Sequence, residues 1–180
     1  MANGKLKGGG YEREISKKLS LWISENNSED LFWRTQGSGG RHTIRRKKNR
    51  TLDGQAGDIS SMSTGVSEEF LKYFCVEIKF YKDINIWGIV TKSKSGLLEF
   101  WDQAYDQALS VNKIPVLIVK QNYKPPLLIS SEPFNRYMEL LGLKSELEVN
   151  LFHKKIFIWK LEDILGIDPN RFMYVIRQEN

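Results

Sequence analysis

The sequence is short of the residues that carry covalent and soft-metal chemistry. It has one cysteine, Cys75, and two histidines, His42 and His153. One cysteine closes no internal disulfide and builds no zinc site. Within an apolar stretch, Cys75 reads as a small core residue. The two histidines form no ligand-spaced pair. No run of about 18 apolar residues occurs, so no membrane span is expected. Met1-Ala2-Asn3-Gly4-Lys5 carries no apolar signal core, so export by that route is not expected and a cytoplasmic setting is. Acidic residues are missing from one whole span. Between Arg34 and Arg50 there is no Asp or Glu, whereas Arg34, Arg41, Arg45, Arg46, Lys47, Lys48 and Arg50 are positive. That segment can supply the entire net charge of +5. A basic run among glycines with no acidic counterweight reads as a clamp on a phosphate backbone; a solvated surface loop is the plainer reading.

What is present is enough for one domain with a sizeable core in 180 residues. Residues 1–10, rich in Gly and Lys, should be flexible. Tyr11, Ile15, Leu19, Trp22 and Ile23 recur at helical spacing and predict a helix over 11–24. Leu31–Thr35 and Ile59–Met62 read as short strands, with a polar turn at 63–69. Phe74–Phe80 is an apolar strand on which Phe74, Val76, Ile78 and Phe80 face one way and Glu77 and Lys79 the other. A loop, with a possible strand at Ile86–Val90, precedes a helix over 97–111 and a buried strand at Ile114–Val119, parallel to its partner by the right-handed crossover rule. Further on, strands are expected at 127–129 and 155–159, helices at 133–143 and 161–165, and a strand at 172–176 closing the sheet. Residues 1–125 read as the core and 126–180 as a C-terminal α/β extension packed on it.

Glu77 and Lys79, two residues apart on an apolar strand, are costly unless paired or holding a metal. Asp58 enters a strand that can pair with theirs, and Glu12 sits beside the apolar stripe of the first helix. Carboxylates converging in this way suit a hard divalent cation, Mg²⁺ or in its place Mn²⁺. Such an ion polarises a phosphate and activates water. Lys79 would orient or deprotonate that water, or neutralise the transition state. The tryptophans read as core; Trp87, among lysines, is the one candidate for base stacking.

The order of these pieces resembles the PD-(D/E)XK nuclease superfamily, and within it archaeal-type Holliday junction resolvases and related small phage and mobile-element endonucleases. Gly10-Tyr11-Glu12-Arg13-Glu14-Ile15 is similar to a G-x-x-x-E-R-E-[LI] start, Arg34-Thr35-Gln36-Gly37-Ser38 to an R-S-x-G-S loop, Gly57-Asp58 with Glu77-Ile78-Lys79 to the central motif, and Lys113-Ile114-Pro115-Val116-Leu117 to G-x-I-P-V-L. The resemblance implies a restriction-endonuclease-like αβββαβ core, with a central mixed sheet flanked by helices. It implies metal ligands Glu12, Asp58 and Glu77, a catalytic Lys79, and Ser38 with Arg34 at the scissile phosphate. Gln103 or Gln107 would reach the site from the second helix. It further implies a homodimer acting on DNA in a bacterial or phage-infected cell, with a structure-selective role in recombination. The insertion 39–57 and the C-terminal extension depart from a minimal resolvase. Branched DNA, duplex cleavage of a restriction or repair type, a RecB-like exonuclease and a catalytically silent DNA-binding protein therefore stay open as readings.

Overall fold

The computed structural model describes residues 4–35, 56–85, 88, 91, 96–151 and 154–180. The sequence-derived candidates Ser38, Arg41, Arg45, Arg46, Lys47, Lys48, Arg50 and Trp87, and the possible strand at Ile86–Val90, lie outside them. Helix α1 (Gly4–Ile23) leads to the ribbon strands β1 (Phe32–Arg34) and β2 (Ile59–Ser61). Helix α2 (Val66–Tyr73), β3 (Phe74–Tyr81), α3 (Gly96–Ser110) and β4 (Ile114–Gln121) follow. The chain continues through β5 (Leu127–Ser130), α4 (Glu132–Leu140), β6 (Leu147–Leu151), β7 (Lys154–Lys160), α5 (Leu161–Leu165) and α6 (Pro169–Glu179).

The sheet order is β3-β4-β5-β7-β6, with β3 and β4 parallel and the other pairs antiparallel. This is the mixed sheet expected, flanked by helices and compatible with a restriction-endonuclease-like arrangement. The alternation along β3 divides its two faces. Phe74, Val76 and Ile78 join the core formed with α1, α2, α4 and α6. Glu77 lies on the opposite face, where Leu97, Trp101 and Ala104 of α3 pack on Leu117, Val119 and Ile129. No helix among the described residues is long and apolar enough to cross a membrane.

Four local expectations change. The glycine run does not stay out of regular structure; α1 begins at Gly4. The absence of a side chain at buried Gly9 is used for packing, because a Cβ there would come within 3.2 Å of the Arg34 guanidinium. The stretch read as a polar turn ends in α2, whose Ser67 and Phe70 are buried and whose first turn holds Glu68 and Glu69 where the helix dipole favours acids. Strand β6, which was not expected, alternates exposed Glu148 and Asn150 with buried Val149 and Leu151. Residues 172–176 are helical: Asp168 caps α6 by accepting the Asn170 and Arg171 N–H groups, Pro169 opens it, and Phe172, Met173 and Ile176 fall on one helical face.

Ser20 ties α1 to the ribbon. Its buried hydroxyl donates to Ser16 O at 2.8 Å and accepts the Phe32 N–H at 2.9 Å. Ser20→Ala is expected to strand that buried N–H and to cost about 1–3 kcal/mol. Urea denaturation checks it; an unchanged midpoint would show that the hydroxyl is dispensable.

Candidate active site

The first acid is fixed by backbone geometry. Gly57 has φ +91°, and a Cβ there would lie 2.6 Å from Val76 O, so only glycine lets the chain run this close to β3. The next residue, Asp58, is then held at three points. Its N–H donates to Val76 O at 2.7 Å, and its carbonyl accepts the Thr35 N–H at 2.8 Å. Its carboxylate Oδ2 accepts the Ile78 N–H at 2.8 Å. Asp58 thereby docks the β1–β2 ribbon on the edge of the main sheet.

The second acid stands on β3. Glu77 is 1% exposed and Asp58 4%. Glu77 Oε1 accepts from Lys79 Nζ and, at 2.8 Å, from Gln103 Nε2 of α3. Glu77 Oε2 is buried and has no hydrogen-bond partner among the described residues. Burial, and then the neighbouring Asp58 charge, push Glu77 up to about 7, against the pull of Lys79. Burial works to lower Lys79, but the Glu77 carboxylate outweighs it and the ammonium ends above its ordinary value. Lys79 is therefore a cation at neutral pH, suited to holding charge. Its Nζ also lies 5.9 Å from the centre of the Phe100 ring.

Glu12 comes from α1 and contributes to raising Glu77, so it lies in electrostatic reach. Its carboxylate is engaged by the Arg34 guanidinium, in a largely covered ion pair. Among the described residues, no three His, Cys, Asp or Glu side chains form a group that could hold a metal ion. What the structure assembles is a carboxylate pair, Asp58 and Glu77, with Lys79 and Gln103 attached to it.

Of the two glutamines singled out from sequence, Gln103 makes the contact; Gln107, one turn later, is buried with its Oε1 unpartnered among the described residues. Burial pushes the Cys75 thiol up to about 12, which fits an inert core residue. Trp101 and Trp159 are core, as read from the sequence. Trp33 is not: it is 47% exposed on the outer face of the ribbon. The alternation of β1, which sends Phe32 inward, carried that signal.

The pair suits a divalent cation. Two buried carboxylates repel each other, one keeps an orphaned oxygen, and a Mg²⁺ ion is characteristically held by one or two carboxylates with water and substrate phosphate completing its shell. A family model described as "Phage putative PDDEXK endonuclease" matches residues 3–171. No curated protein and no solved structure matches the chain.

Proposed function

The chain belongs to this phage PDDEXK endonuclease family, and from that premise we propose that it is a Mg²⁺-dependent endonuclease that hydrolyses phosphodiester bonds in DNA. The observation that supports this most directly is the Asp58–Glu77 pair with its unpartnered Glu77 Oε2. Asp58 and Glu77 would hold the ion, with Mn²⁺ as a substitute. Bound there, it would polarise a phosphate oxygen and lower the pKa of a coordinated water.

The chain's own residues divide the rest of the work. Asp58 is immobilised by three backbone contacts, so its carboxylate needs little rearrangement. Lys79 faces the reacting phosphate as a cation and offsets the negative charge that grows there. Gln103 fixes the orientation of Glu77. Arg34, taken up by a DNA phosphate, would release Glu12 to join the pair. Ser38 is assigned to the scissile phosphate, and the run Arg41, Arg45, Arg46, Lys47, Lys48 and Arg50 to the DNA backbone, where non-specific contacts supply affinity. A homodimer would bring two such sites to two strands, and a four-way junction of the Holliday type is the substrate suggested by the resolvase-like motif order.

The test is a cleavage assay on four-way junction, fork, linear duplex and circular DNA, with Mg²⁺, Mn²⁺ or EDTA, and Asp58→Ala as control. Cleavage with either ion and none with EDTA is expected. A protein that cuts none of the four, or whose Asp58→Ala form cuts equally well, overturns the reading.

A further inference from the structure

Glu77, Lys79 and Tyr81 occupy alternate positions of β3 and therefore the same face. Tyr81 ends the strand and is 46% exposed, although it sits on the face that carries the buried acid. Its ring packs on Phe100 of α3, with centroids 4.6 Å apart and planes inclined at 33°. Lys79 Nζ lies 5.9 Å from the centre of that same Phe100 ring. The Tyr81 phenol is also near enough to contribute to the raised pKa of Lys79. A half-exposed tyrosine backed by a partly buried phenylalanine thus adjoins the cation that faces the reacting phosphate.

We propose that Tyr81, backed by Phe100, is a stacking platform for one unpaired base beside the phosphate held at Lys79, so that the protein takes DNA with an unpaired or splayed nucleotide at the cut ahead of continuous duplex. The proposal rests on the nuclease reading of the Asp58–Glu77 site and names the class of DNA it accepts. Two residues along a strand advance about 6.6 Å, so the ring lies roughly one extended nucleotide from Lys79. Inside a duplex both faces of each base are covered by its neighbours; only an unpaired base offers a free π-face. Phe100 fixes the Tyr81 ring in advance, so little side-chain freedom is lost when a base arrives. The adjoining charge has the right sign, since Lys79 and the exposed Lys82 flank Tyr81 in the chain and both attract the phosphates of such a strand.

The experiment uses the full chain in EDTA, where nothing is cut. Fluorescence anisotropy compares a single-stranded oligothymidine, a duplex with one unpaired thymidine and a blunt duplex. Tyr81→Leu, which keeps apolar bulk without a π-face, is expected to bind the first two about tenfold more weakly and the blunt duplex within twofold of wild type. Tyr81→Phe should match wild type on all three. Equal losses on every DNA, or none on any, overturn the proposal. Independently of any variant, 2-aminopurine at the unpaired position should be quenched on binding the wild-type protein; unchanged emission also overturns it. Failure here is separable from failure of the nuclease reading. A protein that cuts DNA with Mg²⁺ but shows no Tyr81 effect loses only the platform, whereas one that cuts nothing loses the active site.

Discussion

Glu77→Gln is expected to lower metal-dependent cleavage by about a thousandfold and, in EDTA, to remove a pH dependence from folding. The first effect follows because the amide keeps the shape but not the charge that complements a cation. The second follows from the raised pKa. Glu77 titrates near 7 in the fold against an ordinary 4.5, so the folded state favours its neutral form. The associated stabilisation is fully present below about pH 4.5 and is lost as pH rises through 7. Between pH 5 and pH 8 the wild-type chain should therefore lose about 2 kcal/mol relative to Glu77→Gln. Urea denaturation of both proteins at the two pH values measures it; parallel profiles would mean that Glu77 is not strained in the fold. Adding Mg²⁺ at pH 8 should raise the wild-type midpoint, because the ion binds only the native pair, and should leave Glu77→Gln where it was.

Gly57→Ala is the second large effect, and it acts through the backbone. The position has φ +91°, which costs an L-residue about 1–2 kcal/mol, and the new methyl would stand 2.6 Å from Val76 O, a backbone atom that cannot swing aside. At least about 2 kcal/mol of stability should be lost. The strain is relieved only by moving the ribbon away from β3, and Asp58 moves with it. The Asp58 N–H to Val76 O bond and the Ile78 N–H to Asp58 Oδ2 bond both span that gap. Cleavage should accordingly fall as far as in an Asp58 variant, although no acid has been touched. A Gly57→Ala protein that melts and cuts like wild type would show that the close approach carries no function.

The strands were legible where burial made the pattern unambiguous. β3 alternates between two environments, and β4 is apolar from Ile114 to Val119, where both its faces are covered. The Asp58–Glu77 partnership was legible because Gly57-Asp58 opens a strand and Glu77-Ile78-Lys79 sits inside one. The engagement of Glu12 by Arg34 was not, since it depends on a glycine in α1 through which the guanidinium reaches the helix. Helix α6 was read as a strand because its apolar residues form a short cluster; the Asp168-Pro169 start, a strong helix signal, identified it better than the cluster did. Tyr81 shows the limit of composition. An aromatic at the end of an edge strand is core or surface according to which neighbour covers it, and here α3 leaves it 46% exposed.

The Trp22 indole N–H donates to Ile167 O across 145 positions, and its ring meets Phe172 of α6 at 5.1 Å. All the acids of the site have left the ribosome long before α6 is made. Until then Trp22 and Phe70, which already meet each other at 6.3 Å, lack the Phe172 ring that both pack against. Synthesis thus delivers the chemistry first and the closing contacts of the core last.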